Sequence, residues 1–531
     1  MRSTRDTRSG ASDRKPKQEA ATLTRRDLIV GGVTAAALSL TGGGRAQGAE
    51  ARSAIPVEVD LARDIGALEH KWSRCAGSDR AAITMREPWR QDLDRFRRET
   101  GLERVRFHGI FADELGVFDI TGLSPGGPGP NFQNVDVVYD GLVERGVQPY
   151  VELSFMPRKL ASGPATFGLY EANITPPASM EQWSALIQTF IHHLVHRYGA
   201  AEVRQWYFEI WNEPNLRFFW SGDRGQYFRF YEATARAVKA VDPSLRVGGP
   251  ATSSVQWIPQ FLEYCARRGA PVDFVSTHCY AGDDEERMFG AAGKYKQIDV
   301  IPAAVAQVRA QIDATRYQGA ELWLSEWSSD SPAMIAHVVA HCLPYCHAMS
   351  HWTLSSVYEE LYVSSFIFKE GDNGFGMLAQ HSIAKPQFNT YKLMHRLGNR
   401  RLHTTGPALA SRTISGGAAI LLWNLADVPQ RPGIPGASMQ RTVHGEPHRY
   451  AITLHGARVG QTLRVSYVDQ VRGSPLPQWR KLGSPQYPTV AQLAEIRHAA
   501  EIAAPETHSV GPTGSLSLEL PPEGVALLEL S

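Results

Sequence analysis

The sequence predicts an α/β fold, a (β/α)₈ barrel, followed by a C-terminal β-sandwich accessory domain. Apolar, strand-like segments alternate with helical patterns eight times between residues 70 and 399, which calls for a parallel barrel or a doubly wound sheet. No glycine-rich phosphate fingerprint follows the early strands, which disfavours the dinucleotide-binding form of the sheet. From about Arg400 the helical period stops, and short alternating runs separated by Gly, Pro and Asp replace it. That is the texture of a sandwich.

Taken in order, residues 1–50 stand outside the fold. Residues 1–23 are polar and basic, and Thr24-Arg25-Arg26-Asp27-Leu28-Ile29 leads into an apolar run over 28–40 and a small-residue segment over 42–51. This is the pattern of a twin-arginine export signal, with cleavage near Ala46-Gln47-Gly48. The apolar run is too short to span a bilayer, so a bacterial periplasmic or secreted protein with no membrane partner is expected. Residues 51–69 hold one strand pattern, 56–61, that comes too early for the barrel. The barrel, 70–399, has strand candidates at 70–76, 104–108, 148–153, 206–211, 246–249, 273–277, 322–325 and 349–354. Helical patterns alternate with them at 88–99, 134–145, 179–197, 226–241, 257–268, 301–314, 332–347 and 385–397. In the accessory domain, 400–531, alternating runs occupy 413–424, 449–455, 461–468, 515–519 and 524–530. The Gly- and Pro-rich segment 430–447 reads as a surface loop, and 479–500 holds one helical turn pattern.

A hydrophobic content of 43% and a charged content of 21% are those of a soluble globular chain. The net charge of +1 gives no electrostatic reason to invoke nucleic acid or a membrane surface. Cys75, Cys265, Cys279, Cys342 and Cys346 are odd in number and at no metal-ligand spacing, so neither a disulfide framework nor a metal site is expected. His337 and His341 lie four apart on a helix but lack the glutamate of the zinc-protease pattern. No cofactor is expected, and the oligomeric state stays open between monomer and homo-oligomer.

Chemistry concentrates at two strand ends. Residues 206–211 are aromatic and β-branched, as in a buried strand, and Asn212-Glu213-Pro214 breaks the pattern because proline cannot stay in a ladder. Leu322-Trp323-Leu324-Ser325-Glu326-Trp327 is a second apolar strand that ends in a carboxylate beside an aromatic. Active sites of (β/α)₈ barrels are built at the carboxyl ends of their strands. Two carboxylates there, with tryptophans around them, point to glycosidic bond cleavage, in which one acid protonates the leaving oxygen while the other attacks or activates water.

The segments "WYFEIWNEPNLRFFW" and "LWLSEW" resemble glycoside hydrolase family 39, the β-xylosidase and α-L-iduronidase family, closest to its bacterial β-xylosidases. "VRFHGIF" (105–111), "PYVELSFMP" (149–157) and "DFVSTHCY" (273–280) agree in order, so the resemblance runs from about Trp72 to Pro505. It implies that the N-terminal strand pairs with the accessory domain, that Glu213 is the general acid/base and that Glu326 is the nucleophile of a retaining mechanism. As the acid, Glu213 must be largely protonated before attack, with Trp211 and Trp220 as candidate apolar surroundings.

Asn212 resembles the asparagine that hydrogen-bonds the sugar 2-hydroxyl, and His108 the family histidine that contacts a hydroxyl of the same sugar. His278 and Tyr280, two apart and so on one strand face, would steady the acid or substrate and orient Glu326. "HWTLSSVYEELYV" (351–363) resembles the eighth-strand region, but Ser356 stands where the family pattern carries an aspartate, which weakens any carry-over there. One of Glu359 and Glu360 should touch sugar hydroxyls, with Glu360 slightly favoured. Phe155, Trp352 and Phe375 are candidate stacking surfaces, with core packing the equal alternative.

The implied activity is exo-acting hydrolysis of terminal β-linked xylose from a small xylo-oligosaccharide. The alternatives are α-L-iduronidase, an arabinosidase, a glycosidase of bacterial polysaccharide, or a non-catalytic carbohydrate-binding protein. Iduronate would call for an arginine clamp. Residues 328–395 contain no arginine, which tilts the reading toward a neutral sugar, while arginines elsewhere, such as Arg217 or Arg74, stay available for that role.

Overall fold

The computed structural model describes residues 54–118, 129–168, 170–358, 376–426, 443 and 445–531. Among them, eight parallel strands close a barrel: Cys75–Arg80, Arg104–His108, Gln148–Glu152, Tyr207–Glu209, Arg246–Thr252, Phe274–His278, Glu321–Trp327 and Ala348–His351. The eighth strand pairs with the first, Ser350 opposite Cys75, which completes the ring. Strands in this setting are covered on both faces and therefore read as near-continuous apolar runs. Gly248 in the fifth strand is required by close approach, since a Cβ there would lie 2.3 Å from Phe274 O. Inside the barrel, Tyr150, Tyr207, Phe274 and Trp323 pack with Cys75 and Ala348 into a separate apolar plug. The ring centroids of Trp323 lie 4.9 Å from Tyr150 and 4.3 Å from Tyr207. The barrel is therefore filled from its amino end, and polar side chains are free to gather above the plug.

Helices follow the strands, and their ends are marked in the sequence. Ser179 caps Met180–Tyr198 by accepting from Gln182 N, and Asp223 with Gln226 forms a capping box on Arg224–Val241. Gly101 stops Glu87–Thr100 in a left-handed conformation (φ 72°).

The second large sheet has nine strands among the described residues, in the order 506–509, 462–468, 525–530, 418–423, 408–412, 400–404, 55–67, 448–455, 515–520. Ile55–Ala67 lies antiparallel to Arg400–Thr404 and parallel to His448–His455. One face carries a continuous apolar cluster that includes Val57, Leu402, Ile420, Ile452, Val465 and Leu528. On the other face, Leu421, Trp423, Val525 and Leu527 join the core of the barrel. Strands 418–423 and 525–530 are thus buried on both sides, which explains their unbroken runs AAILLW and VALLEL. Arg396 bonds Glu529 across this junction, and Ala333 N donates to Glu523 O at 3.2 Å.

Some elements depart from expectation. The first barrel strand begins at Cys75, not at residue 70. Trp72 looked like a strand residue, but it sits in a turn with its ring stacked on His70 at 4.5 Å. The helix Pro332–Cys342 stops short of the expected residue 347: Leu343 keeps helical backbone angles (φ −47°, ψ −40°), but Pro344 has no N–H with which to continue the ladder. Strands 400–404, 408–412 and 506–509 have no counterpart in the expected set. Residues 413–417 form a turn, and 479–500 spans parts of two helices, Leu476–Lys481 and Val490–Ala499. All five cysteines are buried and free. The segment 430–447 lies mostly outside the described residues.

Candidate active site

At the carboxyl ends of the barrel strands, Glu213 and Glu326 face one another. The fourth strand ends at Glu209, and the chain turns sharply, with Trp211 at φ 71° and Glu213 at φ 40°. Positive φ is uncommon for residues with a side chain and persists only where the surroundings enforce it. Here Glu213 N donates to Ala251 O (2.9 Å), and Asn215 exchanges bonds with Ser253 O (3.0 Å) and Ser253 N (2.9 Å) on the neighbouring loop. Glu326 stands on the seventh strand itself. A carboxylate oxygen of each acid and a ring nitrogen of His278 all lie within 4.8 Å of one another.

The two carboxyls have different company. Glu326 Oε1 accepts from the Arg106 guanidinium at 2.7 Å, and Oε2 accepts from Tyr280 OH at 2.9 Å. Glu213 Oε1 lies 3.0 Å from His278 Nδ1. Burial pushes the Glu213 carboxyl up from 4.5 to about 7, although a hydrogen bond from Ser253 works against it. Burial also lowers His278 from 6.5 to about 4, so at neutral pH the imidazole beside the acid is uncharged. The Tyr280 phenol is raised well above its ordinary range, by burial first and then by the charge of Glu326. It stays a hydrogen-bond donor.

Arg106 organises the layer beneath, and the sequence reading assigned it no role. Fully buried, it also donates to Glu209 Oε2 (2.6 Å) and Asn212 Oδ1 (2.9 Å) and pairs with Glu152 Oε2 (2.7 Å). Burial alone would raise Glu152, but the charges of His108 and Arg106 overturn that and leave its carboxyl below the usual range. The available signal was a charged residue at the centre of the apolar strand Val105-Arg106-Phe107. Two residues on and on the same face, His108 bonds Glu152 through Nδ1 (2.7 Å) and brings Nε2 to 3.8 Å from Glu326 Oε1.

Of the remaining expected site residues, Asn212 is held by Arg106 through its oxygen, while its Nδ2 is buried with no hydrogen-bond partner. His278 Nε2 is likewise buried and unpartnered. Both groups are oriented toward hydrogen bonds that the described residues do not supply. Trp352 packs against His108 with ring centroids 4.8 Å apart. Phe155 is fully buried between His108, Trp211 and Phe219. Trp211 and Trp220 are buried behind the acid, with Trp211 Nε1 donating to Phe219 O. Glu359, Glu360 and Phe375 lie outside the described residues. Cys279 points away and meets Met288. His337 bonds Asp299, distant from the site. Among the described residues, the one cluster of carboxylates and histidine with the spacing of a metal site is Glu213, His278 and Glu326 itself. There the Arg106 guanidinium already supplies Glu326 with a positive partner.

Residues 55–517 match the family model described as "Glycosyl hydrolases family 39". A β-xylosidase of Caldicellulosiruptor saccharolyticus is 32% identical over 480 residues, covering 85% of this chain and 93% of its own. A β-xylosidase of Geobacillus stearothermophilus is 31% identical over 489 residues, covering 87% and 93%. Among solved structures, a monomeric β-xylosidase from Caulobacter crescentus CB15 superposes with a TM-score of 0.78 at 30% identity, over 90% of this chain and 99% of that one.

Proposed function

The chain belongs to glycosyl hydrolase family 39, and from that membership we propose that it is a retaining, exo-acting β-D-xylosidase that releases xylose from short xylo-oligosaccharides. It is a glycoside hydrolase, and the sugar and the stereochemistry are what the proposal adds. The observation that carries the retaining mechanism is the approach of Glu213 and Glu326 oxygens within 4.8 Å. Retaining enzymes need carboxyls about 5–5.5 Å apart, whereas inverting ones leave about 6.5–9.5 Å for a water.

In the first step a Glu326 oxygen attacks the anomeric carbon as the bond to the leaving oxygen breaks. Glu213 gives that oxygen its proton, leaving a glycosyl ester on Glu326 and an alcohol. In the second step Glu213, now a carboxylate, takes a proton from water as the water oxygen attacks the same carbon and Glu326 departs. Two inversions restore the original configuration. Arg106 and Tyr280 hold the attacking carboxylate. The unpartnered Asn212 Nδ2 is the donor for the sugar 2-hydroxyl, a bond that strengthens as the ring becomes oxocarbenium-like.

Xylose is favoured over a uronic acid by the commitments of the arginines. Arg74 bonds His347 O and Glu69 at the amino end of the barrel. Arg217 is exposed and bonds Ser221 O. Arg106 is spent on three glutamates and Asn212. Export through the twin-arginine segment belongs to the same proposal, because it delivers the enzyme to extracytoplasmic oligosaccharides.

A panel of nitrophenyl glycosides (xylose, arabinose, glucose, iduronate), with the released anomer followed by proton NMR, tests both claims. Preference for the β-xyloside with β-xylose as first product is expected. A first product of the α configuration refutes retention, and preference for another glycone refutes the substrate.

A further inference from the structure

We propose that Phe218, backed by Phe167 and Phe219, is the stacking surface for the sugar unit on the leaving-group side of the cleaved bond. The inference rests on the glycosidase reading above and adds a subsite to it. Phe218 is 50% exposed, while its neighbours Phe219, Trp220 and Trp211 are buried. A large aromatic side chain left half in water forgoes much of the stabilisation that burial would give it. Nor is it a floppy loop tip. Phe219 N and Trp220 N both donate to Leu216 O at 3.0 Å, Trp211 Nε1 donates to Phe219 O at 2.8 Å, and Ser221 N donates to Ile174 O at 3.0 Å. The fold braces this turn and still holds the ring outward.

The rings run continuously from the catalytic pair to solvent. His108, whose Nε2 is 3.8 Å from Glu326 Oε1, has its ring centroid 6.0 Å from that of Phe219. Phe219 lies 4.7 Å from Phe218 and 4.5 Å from Phe167, and the last two are 5.8 Å apart. Phe167 arrives from a different loop, in the small hairpin Thr166–Phe167 with Ala172–Asn173. The position of Phe218 in the chain is what assigns its role. Phe218 stands on the turn that begins at the proton donor Glu213, so the sugar that takes the proton leaves past it. Trp352, by contrast, lies 4.8 Å from His108 and is buried, as suits a closed glycone pocket. A β-linked pyranose presents an apolar C–H face to such rings, and stacking there buries surface on both partners.

The test compares wild type, Phe218→Ala, Phe218→Leu and Phe218→Trp on whichever glycone the aryl panel selects. For that sugar, kcat/KM is measured on the methyl glycoside, whose leaving group has no ring, and on the corresponding disaccharide. In Phe218→Ala the disaccharide should lose about tenfold, or about 1.4 kcal/mol, while the methyl glycoside stays within about twofold. Phe218→Leu, which keeps apolar bulk without a ring, should show the same selective loss, and Phe218→Trp should restore the wild-type ratio. Equal losses on both substrates, or none on either, overturn the proposal. A wrong glycone appears in the panel instead and leaves this comparison intact.

Discussion

Under the proposed mechanism Glu213 should set the alkaline edge of the reaction, because there it must carry a proton for the first step. Burial places its titration at about 7 rather than 4.5. Above pH 7 the protonated fraction, and with it kcat/KM on xylobiose, should fall about tenfold per pH unit. Glu213→Ala should remove that limb and leave a flat, low profile. It should lose less on nitrophenyl xyloside, whose leaving group needs little protonation. The same displacement has a thermodynamic face. A change from 4.5 to about 7 corresponds to about 3 kcal/mol of preference for the neutral form. The folded chain retains a proton that the unfolded chain releases between those values, so stability falls as pH rises through that window and stays lowered above it. Glu213→Gln cannot ionise. It should therefore unfold at a higher temperature than wild type at pH 8 and at nearly the same temperature at pH 4. Calorimetry at both pH values and a pH–rate profile measure this directly. An alkaline limb that survives in Glu213→Ala, or a melting difference that ignores pH, refutes the reasoning.

Three further outcomes are expected. Glu326→Ala should reduce hydrolysis of aryl and natural substrates alike by about 10⁴-fold or more, with added azide restoring turnover as a glycosyl azide of inverted configuration; an unchanged rate sinks the nucleophile assignment. Arg106→Met strands Glu209, Glu152 and Glu326 without their buried counter-charge and should cost about 3–5 kcal/mol in denaturant unfolding, so a loss under about 1 kcal/mol would contradict the role given to this arginine. Replacing Arg25 and Arg26 by lysine should strand the precursor in the cytoplasm of a bacterial host, and fractionation that still finds mature protein in the periplasm would exclude the twin-arginine route.

Much of the barrel was legible because parallel strands covered on both faces are apolar runs with polar ends. Segment 104–108 coincides with its strand, and the seven others differ from theirs at one or both ends by one to five residues. The second sheet was harder to read. Arg400–Thr404 buries only Leu402 and reads as a charged segment, although it hydrogen-bonds strands on both sides. Trp72 misled for the opposite reason, since an apolar side chain in a buried turn looks like a strand until its ring is seen against His70. In the candidate site, Glu213 and Glu326 stood out as carboxylates beside aromatics at the ends of apolar runs, and His278 and Tyr280 through the family segment that carries them. Glu152 and Glu209 did not, because a glutamate that ends an apolar strand looks the same whether it is structural or catalytic. Their partners tell them apart in the structure: Glu209 is taken up by Arg106 and Tyr150, and Glu152 by Arg106, His108 and Ser154.

That contact also bears on why two glutamates so close together can do different work. Left alone, like charges within 4.8 Å would compete for a single proton. The barrel breaks the tie by what it aims at each one. The second strand sends a permanently charged guanidinium to Glu326, and the sixth strand and the loop after it add a phenol. Glu213 receives a histidine that burial keeps neutral and the uncharged Ser253, and its own burial favours the proton. Under the proposed mechanism, Arg106 and the strand that carries it set which acid is charged, and the placement of each acid about the sugar sets what that charge can do.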